Sequence, residues 1–145
     1  MKELRTEIVI DASAETVWRV LTDFASFPDW NPFMVRISGP VSEGEKLEVR
    51  LQLPGGRGMT FKPQLIKVEP NRELRWLGRL LVPGIADGEH VFELEATGDA
   101  QTRLIHREEF RGILARPFLA MVGQKTELGF QEMNEALKAR AETLD

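Results

Sequence analysis

No cysteine occurs anywhere in the chain, so a disulfide scaffold, a zinc–thiolate site and thiol catalysis are all excluded. Tyrosine is missing as well, which removes a common oxyanion donor and general acid. Histidine is down to two residues, His90 and His106. Long apolar runs are also lacking: nothing approaches the ~20 residues of a membrane-spanning helix, and the opening MKELRTEIVIDAS has no apolar stretch of signal-peptide length. Neither sign of charge dominates. The 19 Lys and Arg stand against 23 Asp and Glu, a net charge of -4, without the positive excess that nucleic acid or an anionic membrane surface calls for. These absences predict a cytoplasmic protein with no nucleic-acid partner and no stable membrane insertion.

What is present is an ordinary globular balance, 42% hydrophobic and 29% charged over 145 residues. That suits one domain over 1–145, large enough to bury a core. Leu4, Thr6, Ile8 and Ile10 alternate as a half-buried strand. Asp11 or Ser13 then caps a short helix carrying Ala14, Val17, Trp18 and Leu21, with Glu15 suited to the first turn. Pro28 and Pro32 forbid a long helix through the aromatic segment 24–33, leaving a single turn or a corner. Met34 to Ser38 reads as a strand. Leu47, Val49, Leu51 and Leu53 share one parity against Lys46, Glu48, Arg50 and Gln52, the cleanest period of two in the chain. Met59 to Val68 is a strand interrupted by Pro63, and Leu74 to Leu80 another, with Leu74, Trp76 and Leu80 on one face and Gly78 leaving a gap in it. A loop begins at Pro83-Gly84. Strands over 89–96 and 102–110 follow, then a helix of about 25 residues with Pro117 in its first turn and Phe118, Val122, Phe130, Met133, Leu137 and Ala141 at helical intervals.

The order is strand, two short helices, six strands, long helix. Without βαβ repetition, a doubly wound sheet is excluded in favour of a curved antiparallel sheet with helices on one side. Gly55-Gly56-Arg57-Gly58 lacks the Lys-Ser/Thr of a phosphate loop and joins strands, so it is a hairpin turn.

Ile8 to Trp18, Leu21-Thr22-Asp23-Phe24, Phe27 to Phe33, Leu74-Arg75-Trp76, His90-Val91-Phe92 and the run Thr102 to Gly112 together make the chain resemble the helix-grip superfamily (SRPBCC) of START domains, Bet v 1-like plant proteins, CoxG-like proteins and polyketide cyclases. The likeness spans nearly all 145 residues. It implies an α+β helix-grip fold: a seven-stranded curved antiparallel sheet around a long C-terminal helix, two short helices after strand 1, and an apolar cavity between sheet and helix. It carries over no catalytic motif, since members range from ligand carriers to cyclases.

The residues themselves locate the chemistry. If the loop centred on Asp99 closes a symmetric hairpin, facing residues sum to about 198, so Leu94 meets Leu104, Phe92 meets His106 and His90 meets Glu108. These six share a face with Phe110, and its apolar members turn it inward. Glu93, Glu95, Arg103, Arg107, Glu109 and Arg111 take the solvent face. Both histidines and Glu108 are therefore expected among apolar side chains, where His90 can satisfy the Glu108 carboxylate. Three readings stay open for His90, His106 and Glu108: a satisfied structural network, a polar anchor for a ligand, or general acid/base catalysis. Metal ligation by the two histidines needs an unusual geometry, and no metal or other cofactor is expected.

The candidate ligand-binding residues are Trp76, Gly78, His90, Phe92, Leu94, Leu104, His106, Glu108, Phe110, Phe118, Val122 and Met133. Trp76 is either pocket lining or core, and Trp18 is core. Phe27, Trp30 and Phe33 form a lid over the cavity mouth or pin the proline-broken corner. Met121 and Met133 adapt to an apolar ligand or simply fill core, and Gly129 admits a close approach. The expected partner is a small hydrophobic molecule such as a lipid, isoprenoid, aromatic or polyketide-like compound. The alternatives are a cyclase- or dehydratase-like enzyme using Glu108 or His90, and an interaction protein with a filled core, including a homodimer.

Overall fold

The computed structural model describes residues 2–80 and 85–144, with Leu80 described by its backbone alone. The expected loop start at Pro83-Gly84 and the inward placing of the Leu80 side chain lie outside the described residues. Strand β1 (Lys2–Ile10) leads to helix α1 (Ala14–Thr22), a 3-10 turn (Phe24–Ser26) and the four-residue helix α2 (Phe27–Trp30). Strands β2 (Met34–Ser38), β3 (Glu48–Gln52), β4 (Gly58–Phe61), β5 (Gln64–Glu69), β6 (Glu73–Leu80), β7 (Ala86–Gly98) and β8 (Gln101–Arg111) follow, and helix α3 (Ala115–Glu142) closes the chain.

Local chemistry sets these boundaries. Ser13 caps α1, its hydroxyl accepting from the Thr16 amide at 3.2 Å, and Glu15 lies in the first turn. The aromatic corner is held by Asn31, whose Oδ1 accepts from the amides of Phe33 and Met34 at 3.0 and 2.9 Å. A bulge between Met34 and Arg36 explains why Met34 and Ile37, three residues apart, are both buried. The seven expected strands are eight because Lys62-Pro63 breaks the run 59–68 into β4 and β5, proline having no N–H for the ladder. The antiparallel strands accordingly form two sheets, β1-β8-β7-β6-β5 and β2-β3-β4, linked by a bridge between Lys46 and Gln64.

The β7–β8 hairpin pairs Leu94 with Leu104, Phe92 with His106 and His90 with Glu108, with its irregularity confined to the loop end between Ala96 and Gly98. Its outer face carries the charges: Arg103 bonds Glu7 and Glu95, and Arg107 bonds Glu93, Glu109 and Glu3. Helix α3 runs 28 residues, roughly 42 Å. It presents Phe130, Met133, Asn134, Leu137 and Ala141 to the interior, all buried. Its first half is different: Phe118 and Val122 are half-buried, and Met121 is 77% exposed.

Candidate functional site

Two glycines leave the floor of the site bare. Gly78 on β6 pairs with Gly88 on β7, and Gly88 in turn pairs with Phe110 on β8. Above that floor lies a cavity of about 260 Å³. Leu51, Leu53, Met59, Thr60 and Phe61 wall it from the second sheet, Phe110 and Ala115 from the helix entry, and Phe118, Val122 and Thr126 from the first half of α3. Arg79, Asp87, Glu108 and Arg111 supply the charged part of the lining. A second depression of about 360 Å³ on the outside of β2–β4, between Pro28, Val35, Arg36, Glu48, Arg50 and Thr60, contains none of the residues expected to bind ligand.

Of those residues, Gly78, Glu108, Phe110, Phe118 and Val122 meet at the cavity. Trp76, His90, Phe92, Leu94, Leu104, His106 and Met133 are instead packed inside the core beyond it. Ring contacts account for this. Trp76 stacks on His90 at 5.2 Å, Phe92 lies 4.4 Å from His106, and Phe130 stacks on His106 at 4.1 Å with an interplanar angle of 11°. Aromatic area fills this half as solid core. Gly129 admits Phe33, whose ring occupies the space a side chain there would need. Phe27 and Phe33 are buried, so they do not form an exposed aromatic lid. Ile113, Leu114 and Met121 are exposed, in the same turns of chain as the cavity-lining Ala115, Phe118 and Val122.

The polar groups make one continuous line. His90 and His106 sit on neighbouring strands in diagonal register, and their Nε2 atoms approach to 2.6 Å. His106 Nδ1 lies 2.8 Å from Asn134 Oδ1. Asn134 Nδ2 donates to Thr6 Oγ1 at 2.8 Å, and Thr6 Oγ1 donates to the His106 carbonyl at 2.9 Å. At the other end, His90 Nδ1 is 3.6 Å from Glu108 Oε1, an ion-pair distance, and the Glu108 side chain is 19% exposed. Burial, followed by the neighbouring His90, holds the His106 pKa well below the usual 6.5. The sequence pattern misses Thr6 and Asn134 because each reads as one polar residue in an otherwise amphipathic element. It misses Gly88 because its pairing with Gly78 needs the β6–β7 register. Among the described residues no group of three or more His, Asp or Glu side chains is arranged to hold a metal ion, and no helix is long and apolar enough to cross a membrane.

Residues 1–142 match the family model described as polyketide cyclase / dehydrase and lipid transport. No curated protein matches the chain. Among solved structures, the Zhui aromatase/cyclase from Streptomyces sp. R1128 superposes with a TM-score of 0.79 at 15% identity, over 97% of this chain and 93% of that one. A START superfamily protein from Mycobacterium smegmatis gives 0.74 at 19% identity, over 99% of each chain. A point mutant of norcoclaurine synthase from Thalictrum flavum, in complex with a transition-state analogue, gives 0.73 at 18%, over 98% and 94%. Identities this low establish a shared fold. The buried aromatic core with an apolar cavity beside it agrees with the ligand-binding architecture of that fold.

Proposed function

The chain belongs to the polyketide cyclase / dehydrase and lipid transport family, and on that premise we propose that it binds a small, largely apolar molecule in the cavity beneath α3, held at one polar point by Glu108. The observation that carries this is the opposed pair Gly78 and Gly88 under the half-buried Phe118 and Val122. Side chains are withheld there from both sides, and the space left is walled mostly by carbon. Its volume of about 260 Å³ falls just under the ~300–1,000 Å³ of typical small-molecule sites. That suits a compound of one or two rings, or a short acyl chain. Affinity comes from apolar area removed from water, with Glu108 setting orientation.

The test is a fluorescence titration with 2-naphthol, paired with Val122→Trp. Val122 faces the cavity from an exposed helix turn, so the larger ring fills the space without entering the packed core. Saturable binding by the wild type and at least tenfold weaker binding by the folded variant support the reading. Equal binding by the two proteins overturns it.

One observation favours a second reading on the same site. A carboxylate on the wall of an apolar cavity, backed by a buried imidazole at 3.6 Å, is the arrangement a proton-transfer step requires. An aldol cyclisation or a dehydration is the reaction class it fits. Turnover lost in Glu108→Gln while 2-naphthol binding is retained supports that reading, and turnover unchanged by the substitution excludes it.

A further inference from the structure

Behind the cavity wall, four side chains from four elements, Thr6, Asn134, His106 and His90, form a hydrogen-bonded line that ends at ion-pair distance from Glu108, and its direction can be worked out atom by atom. The starting point is the His106 carbonyl, which can only accept. It takes the Thr6 hydroxyl proton at 2.9 Å. That hydroxyl has no second proton, so it must accept from the amide group that Asn134 presents at 2.8 Å. Reversing the Asn134 amide would face its oxygen to Thr6 and leave two acceptors competing for one hydroxyl proton. Asn134 therefore shows Oδ1 to His106 Nδ1, 2.8 Å away, and Nδ1 carries the hydrogen.

The rest follows without further choice. His106 is fully buried, and burial together with His90 keeps its ring neutral at ordinary pH. A neutral ring protonated on Nδ1 has a bare Nε2. His90 Nε2, 2.6 Å from it, must then supply the N–H. A neutral His90 therefore turns a lone pair, on Nδ1, towards Glu108 Oε1 at 3.6 Å. A lone pair facing a carboxylate is repulsive unless one proton sits between them. The other carboxyl oxygen, Oε2, lies in the space beside Gly88, 2.6 Å from where a side-chain carbon on that residue would sit. Both residues line the cavity.

We propose that Thr6, Asn134 and His106 are positioning residues that fix His90 as its Nε2–H form, so that the edge between His90 and Glu108 holds one proton and Glu108 Oε2 is left as the acceptor for a ligand hydroxyl. The ligand class this selects is a small apolar molecule with a phenol- or enol-type O–H, in preference to its ether or its carboxylate. The inference rests on the cavity being a binding site, but the tautomers are a property of the empty protein, so the two fail separately.

The chain has two histidines, so long-range 15N–1H correlation on the 15N-histidine-labelled full chain reads four ring nitrogens. The expected wild-type pattern is His106 protonated on Nδ1 and bare on Nε2, with His90 protonated on Nε2. Thr6→Val, which keeps the side-chain shape, is expected to release this order and give His106 in mixed tautomers. Asn134→Leu is expected to reverse it, with His106 protonated on Nε2. Should Asn134→Leu fail to fold, Thr6→Val decides alone. Wild-type His106 protonated on Nε2, or wild-type tautomers retained in the folded variants, overturns the relay. For the ligand class, 2-naphthol is compared with 2-methoxynaphthalene. A preference of roughly tenfold or more for the naphthol, lost in Glu108→Leu, supports the acceptor role, and equal affinities overturn it. If neither compound binds, the cavity fails as a site whatever the tautomers show.

Discussion

The two halves of α3 lie over the same curved layer of strands and do opposite things. From Thr126 onward the helix buries Gly129, Phe130, Met133, Asn134, Leu137 and Ala141, and the His90 and His106 rings of the sheet pack against Phe130. Before Thr126 only Ala115 is buried, the facing strands carry Gly78 and Gly88, and a cavity remains. The difference lies in side-chain volume on the strands, since both halves are regular helix. His90 and His106 prop Phe130 from below, with Trp76 and Phe92 packed on them in turn, and two residues away from the Trp76–His90 pair on β6 and β7 the rings give way to Gly78 and Gly88. One half supplies stability and the other supplies room, and the polar line from Thr6 to Glu108 crosses from the first to the second.

The sharpest way to break this comparison is to truncate one ring in each half. Phe130 is fully buried, with His106 stacked on it and Phe33 and His90 edge-on. Phe130→Ala is expected to cost about 3–5 kcal/mol. Phe118 already borders open space, so Phe118→Ala is expected to cost about 1 kcal/mol while weakening 2-naphthol binding. Urea midpoints at constant m-value measure both. Equal losses would mean that the cavity half is as tightly packed as the other.

A pair of helix glycines sharpens the contrast. A Cβ on Gly129 would collide with the Phe33 ring, whereas on Gly123 its nearest neighbours are Leu119 atoms at 3.8 and 3.9 Å, ordinary contact. Gly129→Ala is expected to destabilise by about 1–3 kcal/mol through overpacking. Gly123→Ala is expected to stabilise by up to ~1 kcal/mol, because alanine loses less backbone entropy in a helix and nothing has to move. Opposite signs in thermal or urea unfolding are the predicted result.

The packed half also has its own pH dependence. The folded His106 resists protonation, and in the unfolded chain it titrates near 6.5. The unfolded state thus binds the extra proton first, so stability falls as pH drops below about 6.5, by at most ~1.4 kcal/mol per pH unit. The carboxylates of Glu7, Glu109 and Glu142 are held below 4.5 by Arg103, Arg107 and Lys138 respectively. Their contribution is present above that value and is lost only at lower pH, in a separate window. His106→Gln is expected to flatten the profile between pH 7 and 5 and leave the acid limb unchanged. A wild-type profile already flat in that range would contradict the burial of His106.

The sequence makes one half of the molecule far more legible than the other. The β7–β8 register follows from alternation and loop symmetry alone, because a one-residue slip would exchange an apolar face for a row of Glu and Arg. The line-up of the buried His90 and His106 with the half-buried Glu108 follows from the same register. Which side of Trp76 is open does not, because it depends on how far the second sheet stands off, and that is set by the break at Pro63 and the bulge at Met34. Two further contacts were equally hidden. Thr6 and Asn134 are 128 positions apart and each carries only a weak local signal. Gly88 sits at the start of a strand expected to begin at Glu89, so nothing in its own neighbourhood marks it as the partner of Gly78.

The smallest expected effect on stability is the most informative about the open half. Neither Gly78 nor Gly88 has positive φ, so alanine is conformationally acceptable at both. At Gly78 the new Cβ would meet the Phe61 ring at 3.7 Å, ordinary contact on the cavity floor. Gly78→Ala therefore keeps the polar anchor and trims the volume. It is expected to weaken 2-naphthol and 2-methoxynaphthalene by the same few-fold factor, with unfolding within ~0.5 kcal/mol of wild type. At Gly88 the Cβ would fall 2.6 Å from Glu108 Oε2, and the flexible carboxylate has to turn away. Gly88→Ala is expected to keep most of the apolar affinity and lose the preference for the naphthol. Neighbouring positions on one floor would then separate volume from polarity. If both variants change the two affinities alike, Glu108 does not contact the ligand, and the cavity is purely a matter of shape.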